Sequence, residues 1–183
     1  YTIDTALAPI VLPRFRAHPV ALPAAGLALF GFVEWLRFQG VPVLPQINWV
    51  LGWLLFQVAG FAWRDGRLPT GARMAAIASG LWGAALAAVV LGPWPVAMVH
   101  FPGLANSPTH PPSAALLLFG AAYGATAIAA APLVTSFLAS ESRGGRRAWN
   151  VTVVANGVAM SVYLWHMTAA VAAAGVLWSL EAL

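Results

Sequence analysis

The 183 residues are 61% hydrophobic and 8% charged, against roughly 25% charged in a soluble domain, which leaves too little polar surface to clothe a particle in water. The formal charge of +4 comes from arginines alone, with no lysine, and these sit in short turns instead of forming a continuous basic face; a nucleic-acid footprint is excluded. Cysteine is absent, which removes disulfides, thiolate zinc sites and cysteine nucleophiles.

A helix needs about twenty apolar residues to cross roughly 30 Å of hydrocarbon. Residues 5–12 are too short for that and run into Pro13, Arg14 and Arg16, so they read as the tail of a helix that begins earlier. Five longer stretches follow. The first covers about 20–38, with Pro23 in its opening turn, where a missing amide proton costs little, and Glu34 as its one acid. The second covers about 47–63 and stops at the polar turn Arg64, Asp65, Gly66, Arg67. The third, about 72–91, is built from alanine, valine and glycine. A loop with six prolines and no charged residue then leads to the fourth, about 113–137, where Pro132 predicts a kink. A short loop over 139–149 holds Arg143, Arg146 and Arg147, and the fifth stretch, about 151–180, exceeds one crossing and predicts tilt or overhang. The fold class expected is all-α, a polytopic transmembrane helix bundle.

The arginines test this partition. Five crossings place Arg14, Arg16, Arg64, Arg67, Arg73, Arg143, Arg146 and Arg147 on one side and leave only Arg37 off it. By the positive-inside rule that side is cytoplasmic, in a multi-pass protein of the cell membrane, with the proline-rich loop on the other face. Trp49, Trp63, Trp94 and Trp178 fall near segment ends and fit an interfacial belt. Small residues, Gly120 with Gly124 and Gly80 with Ala84, permit close helix approach.

Polar groups inside hydrocarbon are the pointers to chemistry. Glu34 has Arg37 three residues on along one helical face, which gives either a local pair anchoring the helix end or a carboxylate that meets substrate. Gln57 in mid-helix predicts an interhelical hydrogen bond, and Asp65 with Arg67 predicts a stabilised turn. Asn156, Tyr163 and His166 share a helical face in the fifth segment. Histidine there can serve as a base or satisfy a neighbour, and no carboxylate follows it at helical spacing to complete a triad. His100, Asn106, Ser107 and His110 lie in the proline-rich loop. Two histidines ten apart, without clustered acids or cysteines, make no metal signature.

Three runs carry a resemblance: Asn48-Trp49 with Phe61-Ala62-Trp63-Arg64-Asp65-Gly66-Arg67-Leu68; Gly92-Pro93-Trp94-Pro95-Val96-Ala97-Met98-Val99; and Ser161-Val162-Tyr163-Leu164-Trp165-His166-Met167-Thr168. Together they resemble the later half of the integral membrane acyltransferase family three, in wording similar to its actinobacterial members. Such proteins have roughly ten membrane helices of about twenty residues each and move acyl groups onto hydroxyls of sugars, cell-envelope components or small molecules. The resemblance implies that residues 1–183 are the C-terminal part of one acyltransferase domain, a partial copy whose N-terminal half is missing. It implies acyl-CoA as donor substrate, no tightly bound cofactor, and a hydroxyl-bearing acceptor.

The histidine held to be catalytic in that family lies in an early helix with no counterpart here. His166 and Tyr163 are then the candidate catalytic groups, and Asn156, Asn48, Glu34, His100 and Asn106 the candidate acceptor-side residues. Arg64, Arg67 and Arg143 are candidates to meet the anionic donor. Two readings from other classes compete with acyl transfer: a transporter or exporter of cell-surface material, in which paired broken helices or an inverted repeat are expected, and a non-catalytic structural membrane fragment.

Overall fold

The computed structural model describes residues 2–41, 43–97 and 107–181. Among them the chain is all-helical: α1 (Thr2–Ala17), α2 (Ala21–Phe38), the 3-10 turn η1 (Leu44–Ile47), α3 (Asn48–Arg64), α4 (Gly71–Val90), α5 (Ala114–Leu138) and α6 (Arg143–Glu181). It divides into two compact units, Tyr1–Pro132 and Leu133–Leu183.

Among the described residues three helices, α2, α4 and α5, are long and apolar enough to cross a membrane, and only 17% of each spanning window is buried inside the molecule. The remaining surface is oily, with Leu27, Phe32 and Trp35 exposed on α2 and Ile77, Leu86 and Val90 on α4. Water does not tolerate a surface of that kind and lipid does, so the chain is a multi-pass membrane protein. Between α4 and α5, Ala78 and Ala125 pack with Met74 in one buried cluster, and Ala85, Ala115 and Ala122 are buried as well. With no hydrophobic drive between helices in lipid, close van der Waals approach over small residues has to hold them together. Trp82 adds direction by donating its indole N–H to Thr126 Oγ1 at 3.1 Å and meeting Phe119 edge-on at 5.4 Å.

Within the first unit α3 is the central element. It packs on α1 and α2, and Phe56 presses against Gly120 of α5, where any Cβ would overlap its ring. Of the small residues expected to mediate packing, Gly120 does so. Gly80 and Gly124 have open space around them, and Ala84 is exposed while its neighbour Ala85 is buried.

Five crossings were expected, and α3 is shorter than the three helices named above. At 17 residues, α3 reaches about 25 Å, short of the roughly 30 Å of hydrocarbon. In α6 the apolar run among the described residues is Thr168–Trp178, while Arg143, Arg146, Arg147, Asn150 and Asn156 occupy its first half. That helix also begins eight residues before the expected 151 and absorbs the loop that was to hold the three arginines. Ser142 explains the early start, because its Oγ accepts the Gly145 N–H at 3.0 Å as an N-cap.

Pro9 and Pro13 both lie inside α1, which continues to Ala17 instead of ending before Pro13. Tertiary anchoring outweighs the two missing amide donors. Phe15 is 1% exposed, packs against Phe61 of α3 at 6.4 Å, and lies beneath the Arg67 guanidinium at 5.7 Å. The turn after α3 closes on Gly66, at φ 67°, with Gly66 N–H donating to Trp63 O and Arg67 N–H to Ala62 O. This left-handed glycine cap satisfies the last carbonyls of the helix and leaves the Asp65 side chain free to reach α1.

Candidate functional site: a buried polar knot under the proline-rich loop

The C-terminal end of α2 carries Phe30, Val33 and Glu34 on one buried face. Glu34 and Arg37 stand 3.9 Å apart at their nearest charged atoms, yet neither spends its best hydrogen bonds on the other. The first backbone N–H of α5, at Ala114, donates to Glu34 Oε1 at 3.0 Å. Arg37 donates to the carbonyls of Ser107 at 2.7 Å and Pro111 at 3.2 Å, and its guanidinium lies 4.9 Å over the Trp94 ring. The local anchoring pair expected from their spacing is therefore a tertiary clamp. A carboxylate from one helix sits on the positive end of another, and an arginine straps down the loop before it.

The loop is also tied to itself. Ser107 Oγ accepts the N–H groups of Thr109 and His110 at 3.3 and 3.1 Å. Ser113 donates its N–H to Pro108 O at 2.9 Å and accepts Leu116 N–H on its Oγ at 3.3 Å, capping α5. Ser107 and Ser113 are buried. Trp94, expected in an interfacial belt, is buried too, against Phe38 at 5.7 Å and under Arg37, whose cation is attracted to the face of its ring. Trp49 meets the His110 ring edge-on at 4.8 Å.

Asn48 opens α3 and is wholly buried. One turn along the same helix, Gly52 would place a Cβ 3.4 Å from Pro112 and 3.5 Å from Phe30, so this end of α3 faces both α2 and the loop. Among the described residues neither Asn48 Oδ1 nor Nδ2 has a hydrogen-bond partner, and Glu34 Oε2 likewise accepts none. Leaving such groups dry costs about 1–3 kcal/mol each, so the knot has unused capacity for a small polar guest. Gln57 Oε1 is also buried without a partner; the interhelical hydrogen bond expected there is not made by that atom.

Of the expected acceptor-side residues, Glu34 and Asn48 belong to this knot, while His100 and Asn106 lie outside the described residues. Asn156 and His166 are in the second unit, exposed on α6. His166 lines a shallow apolar face with Ala155, Val158 and Val162. Tyr163 lies on the same helix, and its side chain is outside the described residues.

The arginines expected to meet a donor divide by unit. Arg64 and Arg67 lie exposed at the end of α3 in the first, and Arg143 lies exposed at the start of α6 in the second. Spacing missed the partner of Asp65, which is Arg16: its Nε and Nη2 reach the two carboxylate oxygens at 2.9 Å each. That fork holds the Asp65 carboxyl below its ordinary value and the Arg16 guanidinium above its own. Forty-nine residues separate the two, and no periodicity connects them. The other missed participant is Ser113, whose only sequence signal is a serine after proline just before an apolar run.

Among the described residues no group of three or more acidic, histidine or cysteine side chains is placed to hold a metal ion. The chain matches no protein-family model, no curated protein and no solved structure.

Proposed function

We propose that this chain supplies the later membrane helices of an O-acyltransferase resembling family three, one that moves an acyl group, acetyl above all, from acyl-CoA to a hydroxyl of a sugar, cell-envelope component or small molecule. In this reading α3 and α6 complete five crossings, and the arginine-bearing turns face the cytoplasm, where the donor is found. The observation that carries it is the buried amide of Asn48, without a hydrogen-bond partner among the described residues, at the end of α3 that faces α2 and the loop.

An amide that can both donate and accept suits a hydroxyl, and Glu34 Oε2 offers a further acceptor. The transfer breaks the acyl–sulfur bond and forms an ester C–O bond. The hydroxyl proton passes to a histidine base and then to the departing thiolate. In the resembled family that base lies in an early helix, and His166 with Tyr163 are the candidates on this chain. Arg64, Arg67 and Arg143 meet the phosphates of the donor. Charge-assisted hydrogen bonds from guanidinium suit that task.

Membranes carrying the protein are supplied with radiolabelled acetyl-CoA, and label in hydroxylamine-sensitive esters is measured for the parent, Asn48→Leu and His166→Ala. Ester label that falls at least tenfold in Asn48→Leu, with unchanged membrane abundance, is the expected result. Absence of ester label in the parent, or equal label in all three, overturns the proposal. Vesicle uptake of an envelope glycan without acylation points to the transporter reading instead.

A further inference from the structure

A groove of about 290 Å³ runs between α1, α2 and α3, lined by Val11, Leu22, Pro23, Gly26, Leu55 and Val58 among others, all apolar. Its length on α2, from Leu22 to Leu29, corresponds to about 10 Å of helix rise. Gly26 makes the notch, since a Cβ there would stand 3.1 Å from Leu55 Cδ2. Nothing polar lines it, so its natural content is hydrocarbon, which the bilayer supplies from the side.

The chemistry at one end of the groove selects which lipid. One turn past Val11 on the same face of α1 stands Arg14. Of the arginines near it, Arg16 is bound to Asp65 and Arg67 lies over the Phe15 ring. Arg14 gives one N–H to the Ile10 carbonyl at 3.0 Å, which lays the side chain back along α1 and leaves most of its five donors unspent. Together Arg14, Arg16, Arg64 and Arg67 against Asp65 make this end strongly cationic. A tail-shaped slot ending in an uncommitted guanidinium matches an anionic lipid, since basic pockets at the ends of membrane helices recognise anionic headgroups.

We infer that the α1–α2–α3 groove holds one acyl chain of an anionic phospholipid whose phosphate is bound by Arg14. This site is independent of the proposed acyl transfer. It makes α1 part of a lipid-filled interface, with the lipid acting as a wedge between α1 and α2.

The test is native mass spectrometry of the whole chain extracted from liposomes of equal phosphatidylglycerol and phosphatidylcholine with identical acyl chains. The parent is expected to retain one lipid, preferring phosphatidylglycerol about fivefold, the factor that one arginine near a membrane surface contributes. Arg14→Gln should keep a lipid and lose the preference. Gly26→Leu should lose the lipid while circular dichroism shows unchanged helix content; if that variant loses helix, Arg14→Gln alone decides. Equal retention of the two lipids by the parent, or an unchanged preference in Arg14→Gln, overturns the inference. So does displacement of phosphatidylglycerol by equimolar palmitoyl-CoA, which would assign the groove to a thioester donor.

Discussion

Two arginine–carboxylate pairs flank α2, and they do different work. Before the helix, Arg16 and Asp65 form a two-bond fork at 2.9 Å with Arg16 half in solvent. At its end, Glu34 is buried and Arg37 half-buried; they stand 3.9 Å apart and give their short hydrogen bonds to backbone groups of the loop and α5. Water screens the first pair and makes its loss small. The second has little water to fall back on, so removing either partner strands a charge and several backbone groups together. Burial, more than ion-pair geometry, decides how much a charge matters to the fold.

The sharpest way to break this comparison is Arg37→Ala, which leaves the Glu34 carboxylate buried and the Ser107 and Pro111 carbonyls without their donor. A loss of about 3–5 kcal/mol is expected, read as a lowered unfolding midpoint in detergent; a loss no larger than that of Asp65→Asn would refute it. Next comes Gly120→Ala, which drives a Cβ into the Phe56 ring and should cost about 1–3 kcal/mol. The matched Gly124→Ala, with open space around it, should be neutral or stabilise slightly through helix propensity. Ser142→Ala removes the N-cap of α6 and should cost about 0.5–2 kcal/mol, seen as faster amide exchange at residues 143–147.

The smallest loss belongs to the exposed fork, and its pH dependence sets it apart from the buried pair. Asp65 titrates below the ordinary carboxylate range when folded, so its contribution is fully present above that range and is lost as pH falls through the depressed folded value. Arg16 is raised, so its contribution is present below its ordinary value and is lost only in extreme alkali. Across neutral pH the fork stays intact. The stability difference between the parent and Asp65→Asn should be constant there and vanish in acid; a difference that persists unchanged into strong acid would disprove the assignment.

Much of this was legible in the residues. Apolar run lengths locate α2, α4 and α5, and Gly66 announces the end of α3, because each is a local property of backbone and side-chain hydropathy. Glu34 and Asn48 stand out as polar groups in apolar surroundings for the same reason. What spacing did not show was their company. Glu34 caps a helix eighty residues away, and Arg37 reaches a loop seventy residues on. The local Glu34–Arg37 spacing suggests a self-contained pair and hides both contacts. Ser142 and the continued run of α1 past Pro13 were missed where a cap or a tertiary anchor overrode the apolar pattern.

By itself the amino-acid sequence determined the solvent, since a chain with so few charges and such long oily stretches folds in lipid whatever its topology. Of the small residues it marked for close helix approach, Gly120 makes that contact, and Gly80, Ala84 and Gly124 do not. Only the tertiary structure decided which small residues touch, that Asn48 is sealed without a partner, and that Asp65 belongs to Arg16. Those outcomes depend on three-dimensional approach between segments far apart in the chain, and a one-dimensional pattern carries no term for that distance.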